Sequence, residues 1–203
     1  MKERKASIVL KVIIALIFIV SIGSYYLVAI NGEPLNMNNS ITGVDMIKIP
    51  EGLQEISGYL SLISIVIPNI KIILQESFEF MSKALIGIIA ISVVASLLTV
   101  LLRKKLGFIA SLAGVSINFA LAGSIFIKLF NAAITIKDSL EASLGSIMDF
   151  VQSYLPGLNV SGSIQVNLKD VIGIGIILWL SAQVLIIILS IIGLVIKSKD
   201  VEA

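Results

Sequence analysis

Cysteine and histidine are both missing from this 203-residue chain. Their absence removes disulfides, thiolate chemistry, histidine general bases, and most zinc, copper, haem and iron–sulfur ligation. No cofactor and no metal site is expected. Charge is scarce too. Asp, Glu, Lys and Arg make up 14% of the residues, against about a quarter in a soluble domain. Hydrophobic residues reach 57% and the mean hydropathy is +1.06, so a soluble fold is excluded on composition. Proline is confined to Pro34, Pro50, Pro68 and Pro156, each in or beside a turn-forming stretch. No phosphate loop, nucleophile elbow or dinucleotide fingerprint occurs, and no nucleic-acid partner is expected.

What is there is apolar sequence in long runs. The longest proline-free stretch, Leu106 to Tyr154, reads as one helix of about 70 Å, roughly twice a hydrocarbon core. Its first part, Gly107 to Ile127, is almost wholly apolar. Its second part changes to a spaced pattern, with Ile136, Leu140, Leu144, Ile147 and Val151 separated by Lys137, Asp138, Glu141 and Asp149. The fold class that follows is an all-α integral membrane protein with four transmembrane helices, at about 7–30, 84–102, 107–127 and 171–196. The first run exceeds the 7–15 residues of a signal-peptide core, so it reads as a retained anchor, with Lys11 snorkelling to the headgroups.

Between the spans the chain is amphipathic or turn-rich. Pro50 and Glu51 suit the first turn of a helix, and Leu53, Ile56, Leu60, Ile63 and Ile67 then form a stripe at helical spacing. Ser57, Ser61 and Ser64 give that helix only a faintly polar back. Pro68-Asn69 should break it. Ile70 to Lys83 resumes with Gln75, Glu76, Glu79 and Lys83 on one side, Glu76 and Glu79 both within reach of Lys83 or its neighbours. It runs into the second span without a breaker. Residues 160–169 alternate strictly and predict a strand, for which 35–49 is the available partner.

The charges orient the model. Lys2, Arg4, Lys5, Arg103, Lys104, Lys105, Lys197 and Lys199 fall on one side of a four-span plan; the other side carries ten of the thirteen acids and six lysines. The positive-inside rule then places both termini in the cytoplasm of a multi-pass plasma-membrane protein. Segments 31–83 and 128–170 fold together as an outer subdomain of the single four-span unit, 1–203. The helices Leu53–Ile67 and Ile70–Met81 are expected to cover the stripe Ile136–Val151.

No acid, lysine or arginine lies near the centre of any span. The polar groups there are Asn118 and Gln183, with serines such as Ser92, Ser96 and Ser116. Asn118 is thirteen residues from Lys105 and Gln183 fourteen from Lys197, so the two lie at similar height and could meet. An interhelical hydrogen bond worth about 0.6–2 kcal/mol outweighs a permeation role. Ala110, Gly114, Asn118 and Ala122 recur at four-residue spacing and permit close helix packing, against another span rather than another subunit. Trp179 and Tyr25-Tyr26 suit interface anchors. Asn38 and Asn159 each head a glycosylation sequon on the predicted outer side. The remaining carboxylates, including Glu33, Glu55 and Asp149, form no catalytic motif and read as a solvated face.

The order of parts resembles that of claudin-type tetraspan proteins: short tail, span, long outer loop, tight inner hairpin, elongated third helix, and a strand before the fourth span. Claudins carry a tryptophan and a cysteine pair in the first outer loop. This chain has neither there, its one tryptophan being Trp179, so the likeness is topological. The expected role is a non-enzymatic scaffold, assembly or adhesion protein, or an accessory subunit, whose partners are the lipid bilayer and other membrane subunits or its own copies. The alternative is a channel or transporter component built on Asn118 and Gln183.

Overall fold

The computed structural model describes residues 2–32, 39–103, 105–154 and 171–196, side chains of 2–5, 144 and 146–154 excepted. Helix α1 (Lys2–Gly23) is followed by a 3-10 turn, Ser24–Tyr26, and a short strand β1 (Val28–Ile30). Strand β2 (Ile41–Thr42) leads into α2 (Gly43–Glu55) and α3 (Ser57–Ile63). Three long helices complete the chain: α4 (Ile70–Leu101), α5 (Leu106–Tyr154) and α6 (Ile174–Val195). The described residues contain four helices long and apolar enough to cross a membrane, within α1, α4, α5 and α6. The protein is a multi-pass, all-α membrane protein.

These four form a closed ring in which each helix packs on the next and the last returns to the first. Neighbours run antiparallel. Ala15 of α1 accepts a bond from Ser96 of α4 at 3.3 Å, and Ser111 of α5 meets Ser190 of α6 at 2.6 Å. The exterior differs from that of a soluble bundle. Ile, Val and Leu dominate the outer surface, as at Val9, Leu16, Leu97, Ile109, Val184 and Ile188, while serines, Asn118 and Gln183 are buried inside. That distribution is what an apolar solvent requires, because lipid gives helices no hydrophobic reason to bury leucine. Phe18, Phe108, Val115 and Ile186 fill the lower core; Met81, Leu85, Ile88 and Ile125 fill the upper one.

The 49-residue helix α5 is continuous, as the proline-free run predicts, and α4 joins its amphipathic and apolar halves without a break. The first span is shorter than 7–30. Helix α1 already covers about 33 Å in 22 residues, enough for a bilayer core, so Ser24–Ile30 are free to turn away. The strand pairing also differs from expectation. β1 takes β2 as its antiparallel partner, with Val28 opposite Thr42, and Ile30 bridges to Ile172. Residues 43–49 of the expected 35–49 strand are helical, and 160–169 lie outside the described residues. Helix α6 starts at Ile174, three residues later than the predicted span, because Val171–Gly173 are engaged with Ala29 and Asn31.

Helix α2 begins at Gly43, not Pro50. The Thr42 hydroxyl accepts from the Asp45 amide at 3.1 Å, and the Asp45 carboxylate accepts from the Thr42 amide at 2.9 Å, a reciprocal cap. Pro50 sits inside the helix, where it lacks the N–H that Met46 would receive. The expected single stripe Leu53–Ile67 splits at Ile56 into α2 and α3. Asn69 takes the left-handed conformation (φ 63°) and restarts the chain as α4. Helix α2 packs along α4, with Ser82 donating to the Ile47 carbonyl at 2.7 Å.

Of the stripe expected on distal α5, Ile136 is half-buried and Leu140 is 37% exposed; the side chains of Leu144, Ile147 and Val151 lie outside those described. Helices α2 and α3 both lie on α4, and the Ser143 hydroxyl of α5 donates to the Val66 carbonyl beyond α3.

Candidate functional site

The polar groups in the middle of the spans form one network with a member on each of the four long helices. Asn118 of α5 donates through Nδ2 to Ser92 Oγ of α4 at 2.9 Å and, at 3.5 Å, to Gln183 Oε1 of α6. Gln183 Nε2 donates to Ser21 Oγ of α1 at 2.8 Å. None of the four side chains is more than 1% exposed. The structure thus brings Asn118 and Gln183 together and adds Ser92 and Ser21. Ser21 escapes a height count made only on the third and fourth spans. Asn118 Oδ1 is buried with no hydrogen-bond partner among the described residues. All four groups are neutral amides or hydroxyls, so the network carries no formal charge at ordinary pH.

Among the four-spaced small residues of α5, Gly114 lies against α4. A Cβ there would stand 2.4 Å from that of Ala95 on α4, so only glycine lets the two backbones approach this far. Ala110 is half-buried. Ala122 packs at the upper core beside Tyr25 and Trp179.

Lys11 does not snorkel outward. Its ammonium turns into the bundle and donates to the Leu102 carbonyl at 2.7 Å, 5.4 Å from the centre of the Phe108 ring, and the residue is only 6% exposed. It caps the C-terminus of α4, where unsatisfied carbonyls and the helix dipole favour a cation. The stem lies over Gly107, at which a Cβ would be 2.9 Å from Cε. Snorkelling and capping leave the same sequence signal, a lysine near a span end, so the choice needs the neighbours.

The described carboxylates are exposed or, at Glu79, half-buried. Glu79 pairs with Lys83 at 3.5 Å and Glu141 with Lys137 at 3.4 Å. Glu76 reaches across to Lys128 of α5 at 3.7 Å, and not to Lys83. Asp45 is committed to its cap. Among the described residues no three His, Cys, Asp or Glu side chains cluster in a way that could hold a metal ion. Trp179 meets Phe119 edge-on at 5.8 Å, and Tyr25 is buried while Tyr26 is exposed. Asn38 and Asn159 lie outside the described residues, as do Glu33 and the side chain of Asp149.

Comparison of the chain with protein-family models, curated proteins and solved structures finds no match. Any functional reading therefore rests on the geometry above.

Proposed function

We propose that this protein is a non-enzymatic four-span membrane scaffold or accessory subunit, one that engages another protein through a helical domain on the outer face of the plasma membrane. In this reading both termini and the 102–105 turn are cytoplasmic, and the belt Glu76, Lys83 and Lys128 marks the outer boundary. Helix α4 is 32 residues, about 48 Å, so roughly 18 Å of it clears a 30 Å hydrocarbon core and carries α2 and α3 above the membrane. Segments 31–83 and 128–170 make up this outer domain.

The observation that carries the reading is the tip of that arm. From Ile56 to Ile70 there is no charged residue, yet Tyr59, Leu62 and Ile65 are 72%, 65% and 80% exposed. The hydroxyls of Ser61 and Ser64 are turned back onto the Ser57 and Ser61 carbonyls, at 2.9 and 2.6 Å, which spends their donors within the tip itself. A contiguous uncharged patch held clear of its own bilayer is the signature of a docking surface.

The cysteine-free chain makes the test direct. A Leu62→Cys variant carrying a photo-crosslinker, irradiated in native membranes, should join a second polypeptide, either another subunit or another copy. The crosslink should be lost when Ile65→Glu is added. A strictly monomeric species in native membranes would overturn the proposal.

One observation favours a second reading. Asn118 Oδ1 is a buried carbonyl-type acceptor with no hydrogen-bond donor among the described residues, as a permeation or substrate site would offer. In this case Asn118→Leu with Gln183→Leu should abolish solute flux in proteoliposomes. The scaffold reading expects those substitutions to lower stability alone.

A further inference from the structure

Near the end of α1 the bundle does not close. A cavity of about 180 Å³ lies between the 3-10 turn, the start of α2, and α4, α5 and α6. Its walls include Tyr25, Met46, Leu85, Ile88, Ile125 and Trp179, and small residues from several elements, among them Ala122, leave the space open. It is open on one side and lined almost wholly by apolar surface, and its volume takes part of an acyl chain. Water is a poor occupant, because a buried water needs two to four polar partners. The Ser24 hydroxyl on the wall is already spent on the Ser21 carbonyl at 2.6 Å. The indole N–H of Trp179, by contrast, is buried with no acceptor among the described residues.

We propose that this cavity is a binding site for a single acyl chain bearing a carbonyl oxygen, the tail-and-carbonyl unit shared by membrane lipids and free fatty acids. The chain fills the apolar volume, and its carbonyl accepts from Trp179 Nε1. Depth agrees with this assignment. Ile125 lies three residues from Lys128 and Ile88 five from Lys83, one to two turns below the charged belt, where lipid carbonyls meet the hydrocarbon. The inference rests on that belt being the membrane boundary, as proposed above, but not on any protein partner. It also gives Ala122 a role that helix packing leaves unexplained: a larger side chain there would occupy the site.

Trp179 is the one tryptophan in the sequence, so its fluorescence reports the cavity without a label. The protein in unbrominated detergent micelles is titrated with a brominated fatty acid and, separately, with brominated phosphatidylcholine. Saturable quenching near one quencher per chain is expected with at least one of them, and Ala122→Phe should remove the saturable part. Saturation by the phospholipid assigns a membrane lipid; saturation by the fatty acid alone assigns the free acid. Quenching that rises linearly with both quenchers, equally in wild type and Ala122→Phe, would overturn the proposal. Should Ala122→Phe fail to fold, Trp179→Phe keeps the ring and drops the N–H. Native mass spectrometry of that variant should then show about threefold to tenfold weaker retention of the same ligand; unchanged retention counts against the proposal.

Discussion

A single unpartnered oxygen separates the two amides of the central network. Gln183→Leu removes the bonds to Asn118 and Ser21, and should cost about 1–2 kcal/mol. Asn118→Leu removes the bonds to Ser92 and Gln183 but also deletes the orphan Oδ1, so its cost should be the smaller. Reversible unfolding of both variants in mixed micelles checks the order, and an equal or inverted pair would show that Oδ1 has a partner. At Gly114 the effect is steric. Gly114→Leu forces α4 and α5 apart at Ala95, for an expected loss of about 1–3 kcal/mol, partly recovered by adding Ala95→Gly. Thermal stability of the single and double variants decides this. Part of this scale was readable from the chain. Equal distances from the inner lysines put Asn118 and Gln183 at one height, but nothing in sequence says which way a helix is turned, so Ser21 and the inward Lys11 emerge only from packing.

Among the elements, periodicity and breakers were good guides where the chain is long and uniform, as for α4 and α5. They misled where short-range capping overrode them. Thr42-x-x-Asp45 is a capping-box signature, and its two reciprocal bonds start α2 seven residues before Pro50 despite the β-branched run beside it. Thr42→Ala should therefore weaken the N-terminus of α2 by about 1 kcal/mol, read as faster amide exchange over residues 43–47. The cap also responds to pH. The Thr42 hydroxyl and amide, helped by Lys48, hold the Asp45 carboxyl below its ordinary value of 3.8. A depressed folded-state pKa means the stabilisation is fully present above that ordinary value and disappears as pH falls through the lowered one. Protection at 43–47, corrected for the intrinsic pH dependence of amide exchange, should be flat from neutral pH down to about 5 and fall below about 4. Asp45→Asn should remove that acid dependence.

For the whole molecule, the inner hairpin and the arm tip are proposed to lie on opposite sides of the membrane. Single cysteines at Arg103 and Tyr59, treated with an impermeant thiol reagent on intact cells, should give labelling at Tyr59→Cys alone. Arg103→Cys should label once the cells are opened, and the reverse pattern would invert the topology. Hydropathy and the placement of basic residues supply the four spans because a bilayer imposes so few solutions on a backbone. How α2 and α3 sit was not legible. Their stripe fits either α4 or the distal half of α5, and the structure puts them on α4 through Leu60, Ser82 and the start of that helix.

That placement gives the 49-residue helix a mechanical consequence. Beyond Lys128, α5 continues for 26 residues to Tyr154, about 39 Å of rod. Its close contact inside the bundle, Gly114 on Ala95, has the shape of a fulcrum. Tyr154 lies 40 residues, about 60 Å, from that point, so a tilt of about 5° there would swing it through about 5 Å. Because Ser143 holds the Val66 carbonyl, the exposed arm tip would ride on the same lever, so a load applied at Ile65 would be felt in the plane of Asn118.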